Sequence, residues 1–344
     1  MLHSRLAPAL APLLALGCAA TAPPLPVARL AEAPRWTAVV LGAAGGLDES
    51  DLTAVLVARR GRHDYVALDG GTLYAGVRRA LAAGSFGDLP APPADQGGPG
   101  WFLRRHVRGY LVSHPHLDHS AGLILNSPDD EAGKFLGGTA ATLGALSEHV
   151  FNWRLWANFT DQGVAPRLAR YRLLTLAPGA PQPLGETGLT VEAAELDHGQ
   201  GYRSTAFLVG DGESYLLYLG DTGPDAVEGG GALGRLWERI APLVRKGRLR
   251  GLFLECSYPD GRPDHLLFGH LTPRWIHEEL ARLAAAVDGA NPSRALRGLP
   301  VVITHVKPSP RGDDLAPRLA AELETGNTLG VRYLLPRSGQ RLEL

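Results

Sequence analysis

The stretch Ser113-His114-Pro115-His116-Leu117-Asp118-His119 decides how the rest of the chain is read. Three of the protein's twelve histidines lie within it, beside an aspartate. Just upstream, His106–Val112 reads as an apolar strand that delivers the chain into this loop, and a helix should start near His119 and run through Leu125. Imidazole and carboxylate donors together suit Zn²⁺ and its neighbours in the divalent series. In one sharp loop, His114 and His116 can face one ion while Asp118 and His119 face a second, about 3.5–4 Å away as in two-metal hydrolytic sites. A surface loop that happens to be rich in histidine is the competing reading, and it leaves the placement at a strand end unexplained.

Working outward, apolar β-type runs cover Trp36–Leu41, Leu52–Ala58 and Tyr65–Leu68, the last followed by the turn Asp69-Gly70-Gly71. A helical pattern covers Leu73–Ala83, residues 84–100 read as a Gly/Pro-rich loop, and residues 129–180 as mostly helix and loop. Further strands are expected at Leu189–Leu196, Thr205–Val209, Tyr215–Leu219, Leu252–Glu255 and Pro300–Thr304, with helices at Leu233–Val244 and Pro273–Val287. Asp69, His114, His198, Asp221 and His305 each sit just past the end of such a strand. Positions of this kind gather at one edge of a sheet, where a rigid scaffold holds ligand-bearing loops.

Composition narrows the field. The 344 residues carry a formal net charge of −1 and 45% apolar residues, which suits a globular chain and lacks the basic excess of a polyanion binder, so no nucleic-acid partner is expected. At the N-terminus, Arg5 precedes an apolar run, Leu6–Leu16, that is shorter than the roughly 20 residues needed to span a bilayer. The run ends in Ala15-Leu16-Gly17-Cys18, which resembles a bacterial lipoprotein signal with Cys18 as the lipidated residue. An ordinary secretory signal cut near Ala20 or Ala22 is the alternative. The expected organisation is a signal over 1–18, a Pro/Ala-rich linker over 19–34 and one domain over 35–344. Export to the periplasm, or to a membrane-anchored form, follows. Cys18 and Cys256 are the two cysteines, so no disulfide framework is available and Cys256 reads as a buried thiol.

The longer string from His114 through Asn126-Ser127-Pro128 resembles the signature of the class II cyclic-nucleotide phosphodiesterases, within the metallo-β-lactamase superfamily; Ser120 replaces the usual aliphatic residue. The blocks His149-Val-Phe151-Asn152-Trp153, Asp197-His198-Gly199, Gly220-Asp221-Thr222, Phe268-Gly269-His270-Leu271-Thr272-Pro273 and Thr304-His305-Val306-Lys307-Pro308 follow in family order. The resemblance implies an αββα sandwich of two mixed sheets with outer helices. It also implies hydrolysis of cyclic AMP or cyclic GMP to the 5′-monophosphate by a hydroxide held between two divalent cations, zinc first among them.

By the same resemblance, His114, His116 and His198 hold one metal, Asp118, His119 and His305 the other, and Asp221 bridges both, since a carboxylate has two oxygens. Asp69 is expected to orient the metal loop without binding metal. His149 competes with His198 for third place, but its context is helical. Asp118 and His270 are the catalytic candidates. An imidazole can supply a proton to a leaving 3′ oxygen, while the plain alternative for His270 is a structural role at the helix start Thr272-Pro273. Lys307, close behind His305, and Asn152 are the candidate substrate contacts, with a solvated surface lysine as the alternative for Lys307. Two rivals remain at this stage: a hydrolase of the same fold acting on RNA ends, a sulfate ester or a lactone, and a non-catalytic exported binding protein.

Overall fold

The computed structural model describes residue 1, residues 33–93 and residues 96–344; the expected signal, Cys18 and nearly all of the 19–34 linker lie outside the described residues. The strands are β1 (Trp36–Gly42), β2 (Ala54–Arg59), β3 (Tyr65–Leu68), β4 (Val107–Leu111), β5 (Lys134–Gly138), β6 (Tyr171–Thr175), β7 (Gln182–Pro183), β8 (Thr190–Asp197), β9 (Arg203–Gly210), β10 (Tyr215–Tyr218), β11 (Leu249–Glu255), β12 (Pro300–Thr304), β13 (Arg332–Leu334) and β14 (Arg341–Glu343). They form two seven-stranded sheets, ordered β14-β1-β2-β3-β4-β5-β6 and β13-β12-β11-β10-β9-β8-β7. Both sheets are mixed: β3 through β6 and β10 through β13 pair in parallel, the others antiparallel.

The alternation of side chains along each strand assigns the layers. Ala38 and Val40 of β1, Val55 and Val57 of β2, and Val66 and Leu68 of β3 share one core with Phe207 and Val209 of β9, Leu216 and Tyr218 of β10, and Val302 of β12. The intervening residues Val39, Leu41, Leu56 and Ala67 face the other way and pack under helices with Val77, Phe102, Leu123 and Leu146. The second sheet does the same, burying Leu217, Leu252 and Val301 against Trp237, Ile240, Trp275 and Leu280. Both faces of these strands are covered, which is why they read as continuous apolar runs and not as polar–apolar alternation. The architecture is thus helix, sheet, sheet, helix, as expected. Among the described residues no helix is long and apolar enough to cross a membrane.

Three departures from the sequence-based expectations stand out. Residues 129–180 contain two strands, β5 inside the first sheet and β6 at its edge. Residues 98–106 form a helix, Gly98–His106, which begins inside the expected loop and takes over the first residue of the expected strand. The C-terminal stretch adds a helix, Ala316–Thr325, and the edge strands β13 and β14.

Candidate metal centre

Strand direction builds the site. β3, β4, β8, β10, β11 and β12 all end at one edge of the sandwich and deliver, in order, Asp69, the 113–119 loop, His198, Asp221, Glu255 and His305. The first two come from one sheet and the other four from its partner.

Two triads result: His114, His116 and His198 form one, and Asp118, His119 and His305 the other, with the donor atoms in each within 4.8 Å of one another. Asp221 lies between them. Its Oδ2 is 3.8 Å from His114 Nε2, 3.6 Å from His198 Nε2, and 3.2 Å from each of His119 Nε2 and His305 Nε2. Asp118 Oδ2 stands 3.7 Å from His305 Nε2. The structure therefore brings together all seven residues expected as ligands. His149 is exposed at the end of the helix Ala140–His149 and belongs to neither group.

The hydrogen bonds on the far side of each imidazole fix which nitrogen is left for a ligand. Thr53 Oγ1 donates to the Ala44 carbonyl, so His305 Nδ1–H must donate to Thr53 at 2.8 Å, leaving Nε2 with a lone pair. Ser113 Oγ donates to Asp69, so His114 Nδ1–H donates to Ser113 Oγ at 3.0 Å. His119 Nδ1–H donates to Asp69 Oδ2 at 2.7 Å and His198 Nδ1–H to the Gly269 carbonyl at 2.9 Å. Such partners lock tautomer and ring direction. The Nε2 atoms of His114, His119, His198 and His305 all face inward, 3.2–3.8 Å from Asp221 Oδ2.

Asp69 lies behind the 113–119 segment and holds it by hydrogen bonds. Its carboxylate is fully buried and accepts from Ser113 N, Ser113 Oγ, His119 Nδ1 and Tyr218 Oη at 2.6–2.8 Å. Its backbone φ of +57° is unusual for a residue with a side chain. His116 is the exception among the imidazoles. It is exposed, no hydrogen bond among the described residues ties its Nε2, and its ring lies flat on Tyr202, with centroids 4.7 Å apart and planes 11° apart.

Burial holds His114 and His305 well below the usual imidazole range, and lowers His116 less strongly. Burial also opposes the charge on Asp221, but His119 and His305 outweigh it and hold the carboxyl well below the usual range. Burial opposes a charge on His119 too; there the carboxylates of Asp221 and Asp69 prevail and raise it.

The donor set fits divalent cations. His119 Nε2, His305 Nε2 and Asp221 Oδ1 are buried polar atoms without a hydrogen-bond partner, a state that costs about 1–3 kcal/mol apiece unless something fills it. His114 Nε2 and His116 Nδ1 face each other at 2.9 Å across a single proton that a cation would displace. Gly45 leaves room at the same place, because a Cβ there would stand 2.4 Å from His305 Nε2.

Several contributors escaped the sequence reading. Glu255 is fully buried; its carboxylate accepts from Thr222 N, Ser257 N, Ser257 Oγ and, at 2.8 Å, from His270 Nδ1. The only signal was a carboxylate ending an apolar strand. Thr53 and Tyr218 carried no local signal at all. His270 is buried, with its ring stacked on His305 at 5.3 Å and its Nδ1 3.9 Å from Asp221 Oδ2. It makes no hydrogen bond to the helix that Thr272 opens, so it does not cap that helix. Lys307 Nζ donates to Gly45 O at 3.2 Å, beside the loop that faces His305. Asn152 closes its own turn: Nδ2 donates one hydrogen to Glu148 O and Oδ1 accepts from Arg154 N and Leu155 N, at 2.7–3.0 Å, which leaves the second amide hydrogen as its remaining donor.

Two sheets with outer helices and a histidine–aspartate cluster at one edge define a metallo-β-lactamase-fold hydrolase. The Bacillus subtilis metallo-β-lactamase fold protein YhfI superposes with a TM-score of 0.56 at 16% identity, over 90% of this chain and 99% of its own. Unliganded yeast PDE1 superposes with a TM-score of 0.78 at 25% identity, over 90% and 100%. A probable 3′,5′-cyclic-nucleotide phosphodiesterase of Yersinia pestis is 38% identical over 305 residues, covering 88% of this chain and 87% of that protein. Residues 35–339 match the family described as cAMP phosphodiesterases class-II. The chain belongs to that family and is an enzyme of its class.

Proposed function

We propose that this protein hydrolyses 3′,5′-cyclic nucleotides to nucleoside 5′-monophosphates with two divalent cations, zinc in the first instance, held by the two triads and joined by Asp221. The observation that carries the reading is the position of the Asp221 carboxylate, between two sets of inward-facing donor atoms. Such a pair of cations, when bound, supplies an activated water and charge neutralisation for the phosphoryl oxygens. The chain's own residues do the rest. Asp69, Ser113, Thr53 and the Gly269 carbonyl keep the four buried imidazoles in the ligating tautomer. His270, anchored through Nδ1 to Glu255, presents an Nε2 that makes no hydrogen bond among the described residues, where it can hand a proton to the departing 3′ oxygen. Lys307, half-buried next to His305, adds positive charge for a phosphate oxygen.

The balanced charge and the absence of a basic arm in the sequence weigh against an RNA-end substrate. Turnover of cyclic AMP, cyclic GMP, a 2′,3′-cyclic nucleotide and bis(p-nitrophenyl) phosphate, together with elemental analysis after metal reconstitution, tests the reading. The expectation is 3′,5′-cyclic substrates preferred and about two ions per chain. Hydrolysis of the nitrophenyl ester alone, or one ion or none, would overturn it.

A further inference from the structure

Phe268 stands out among the aromatic residues. It is 56% exposed, and its backbone φ is +53°. A bulky residue in the left-handed region is strained and persists only where the surroundings enforce it. Here they do. Gly269 is pressed so closely on the chain at His198 that a Cβ on it would lie 2.3 Å from the His198 carbonyl carbon, and a Cβ on Gly199 would lie 3.1 Å from the carbonyl carbon of Phe268. The Gly269 carbonyl is also the atom that holds His198 Nδ1. The segment that displays this exposed ring is therefore clamped to a ligand of the metal centre.

A second observation gives the ring a setting. The Arg262 guanidinium lies 4.0 Å from the centroid of the Tyr258 ring and 5.9 Å from that of Phe268. The Tyr258 ring in turn meets His270 at 5.9 Å. Arg262 donates through Nε to Leu266 O at 2.6 Å and pairs with no carboxylate among the described residues. A row thus runs outward from the site: imidazole, phenol, guanidinium, phenyl. Tyr202, the other exposed ring beside the triads, already has one face against His116.

We propose that Phe268 and Arg262 form the platform on which the nucleobase of the substrate lies. This rests on the reading of the site as a cyclic-nucleotide hydrolase. In a 3′,5′-cyclic nucleotide the base projects from the ribose away from the ring-fused phosphate. A phosphate placed beside His270 and Asp221 thus leaves the base to be received outside the ligand cluster. A flat phenyl ring and a planar delocalised cation are the two surfaces that purines stack on, and exposure of Phe268 in the free protein is the cost of keeping that surface ready.

The test compares cyclic AMP with methyl riboside 3′,5′-cyclic phosphate, which has the reacting ring and no base. Phe268→Ala should raise KM for cyclic AMP about 5- to 150-fold, the range found for removal of a base-stacking aromatic, with kcat within about twofold and the base-free substrate unaffected. Phe268→Trp should retain wild-type KM, and Arg262→Gln should shift KM in the same direction as Phe268→Ala but less. Equal effects on both substrates, or an unchanged KM for cyclic AMP in Phe268→Ala, would overturn the platform. A wild-type enzyme inert toward cyclic AMP would overturn the reading beneath it, so the two failures are distinguishable.

Discussion

Replacing Asp69 with asparagine is the sharpest probe of how this site is prepared for metal. The change is isosteric, yet the four donors around the carboxylate leave no good orientation for an amide. With the amide oxygen toward Ser113 N, the NH₂ group faces Ser113 Oγ, Tyr218 Oη and His119 Nδ1–H. The hydroxyls can turn and accept, but the imidazole can accept only by moving its proton to Nε2, the nitrogen directed at Asp221. With the amide reversed, His119 keeps its tautomer but the NH₂ confronts the Ser113 backbone N–H at the former 2.7 Å contact, next to His114.

Loss of charge assistance plus one stranded buried donor should cost about 2–4 kcal/mol of stability. Either orientation should weaken metal binding about 10- to 100-fold, as loss of a partner behind a ligating histidine does. Chelator-competition titration reads the affinity, chemical denaturation the stability, and long-range ¹H–¹⁵N correlation spectra the tautomer of His119. An Asp69→Asn protein that binds its metals within twofold of wild type would refute the argument that Asp69 sets the tautomer.

Three further outcomes are expected. His270→Ala should lower kcat on cyclic AMP by about 10²–10⁴-fold, the usual worth of general acid catalysis, and scarcely affect bis(p-nitrophenyl) phosphate, whose leaving group needs no proton; equal losses with metal content intact would make His270 a positioning residue. Cys18→Ser should move the protein from membrane to soluble fractions if Cys18 is the lipidated residue, and unchanged fractionation would reject lipidation while leaving export open. For Asp88, bidentate hydrogen bonds from Arg341 at 2.6 and 2.9 Å hold the carboxyl below its usual value of 3.8. A depressed folded-state value gives stabilisation that is present above the unfolded value and lost as pH falls through the folded one. The stability gap between wild type and Asp88→Asn, about 0–1 kcal/mol for so exposed a pair, should therefore be constant from pH 5 to 8 and close below pH 4; a gap that widens on acidification would contradict it.

What could be read from the sequence follows from where the information resides. The 113–119 loop, His198, Asp221 and His305 were legible because a ligand at the end of an apolar strand leaves a local mark. Glu255, Thr53 and Tyr218 act through contacts that close only when distant strands meet, and no spacing along the chain reports them. β5 was hidden by its own composition, Lys134 at one end and Gly137-Gly138 at the other. Lys134 can be buried there because Asp130 pairs with it, and Tyr110 and Tyr171 in turn donate to Asp130. The helix Gly98–His106 opens with Gly-Pro-Gly, a turn signal by composition, although proline is well tolerated in a first helical turn. The use of Asn152 to close a turn was not legible beside its aromatic neighbours, because those hydrogen bonds depend on the local backbone path.

The division of the triads between the sheets has a consequence for how the protein is assembled in time. Each triad takes two donors from the segment after β4, His114 and His116 ahead of the helix Leu117–Asn126 and Asp118 and His119 in its first turn, and its third from the opposite sheet, His198 in one case and His305 in the other. A half-built chain, with one sheet formed and the other still loose, offers only incomplete coordination. Ions that bind only the docked state strengthen it by about 4 kcal/mol at a thousandfold excess over Kd. That reward is withheld until the two layers have come together. Charging the site with metal would then work as an inspection at the end of folding: it would leave immature chains uncharged and pin the two layers of those that pass.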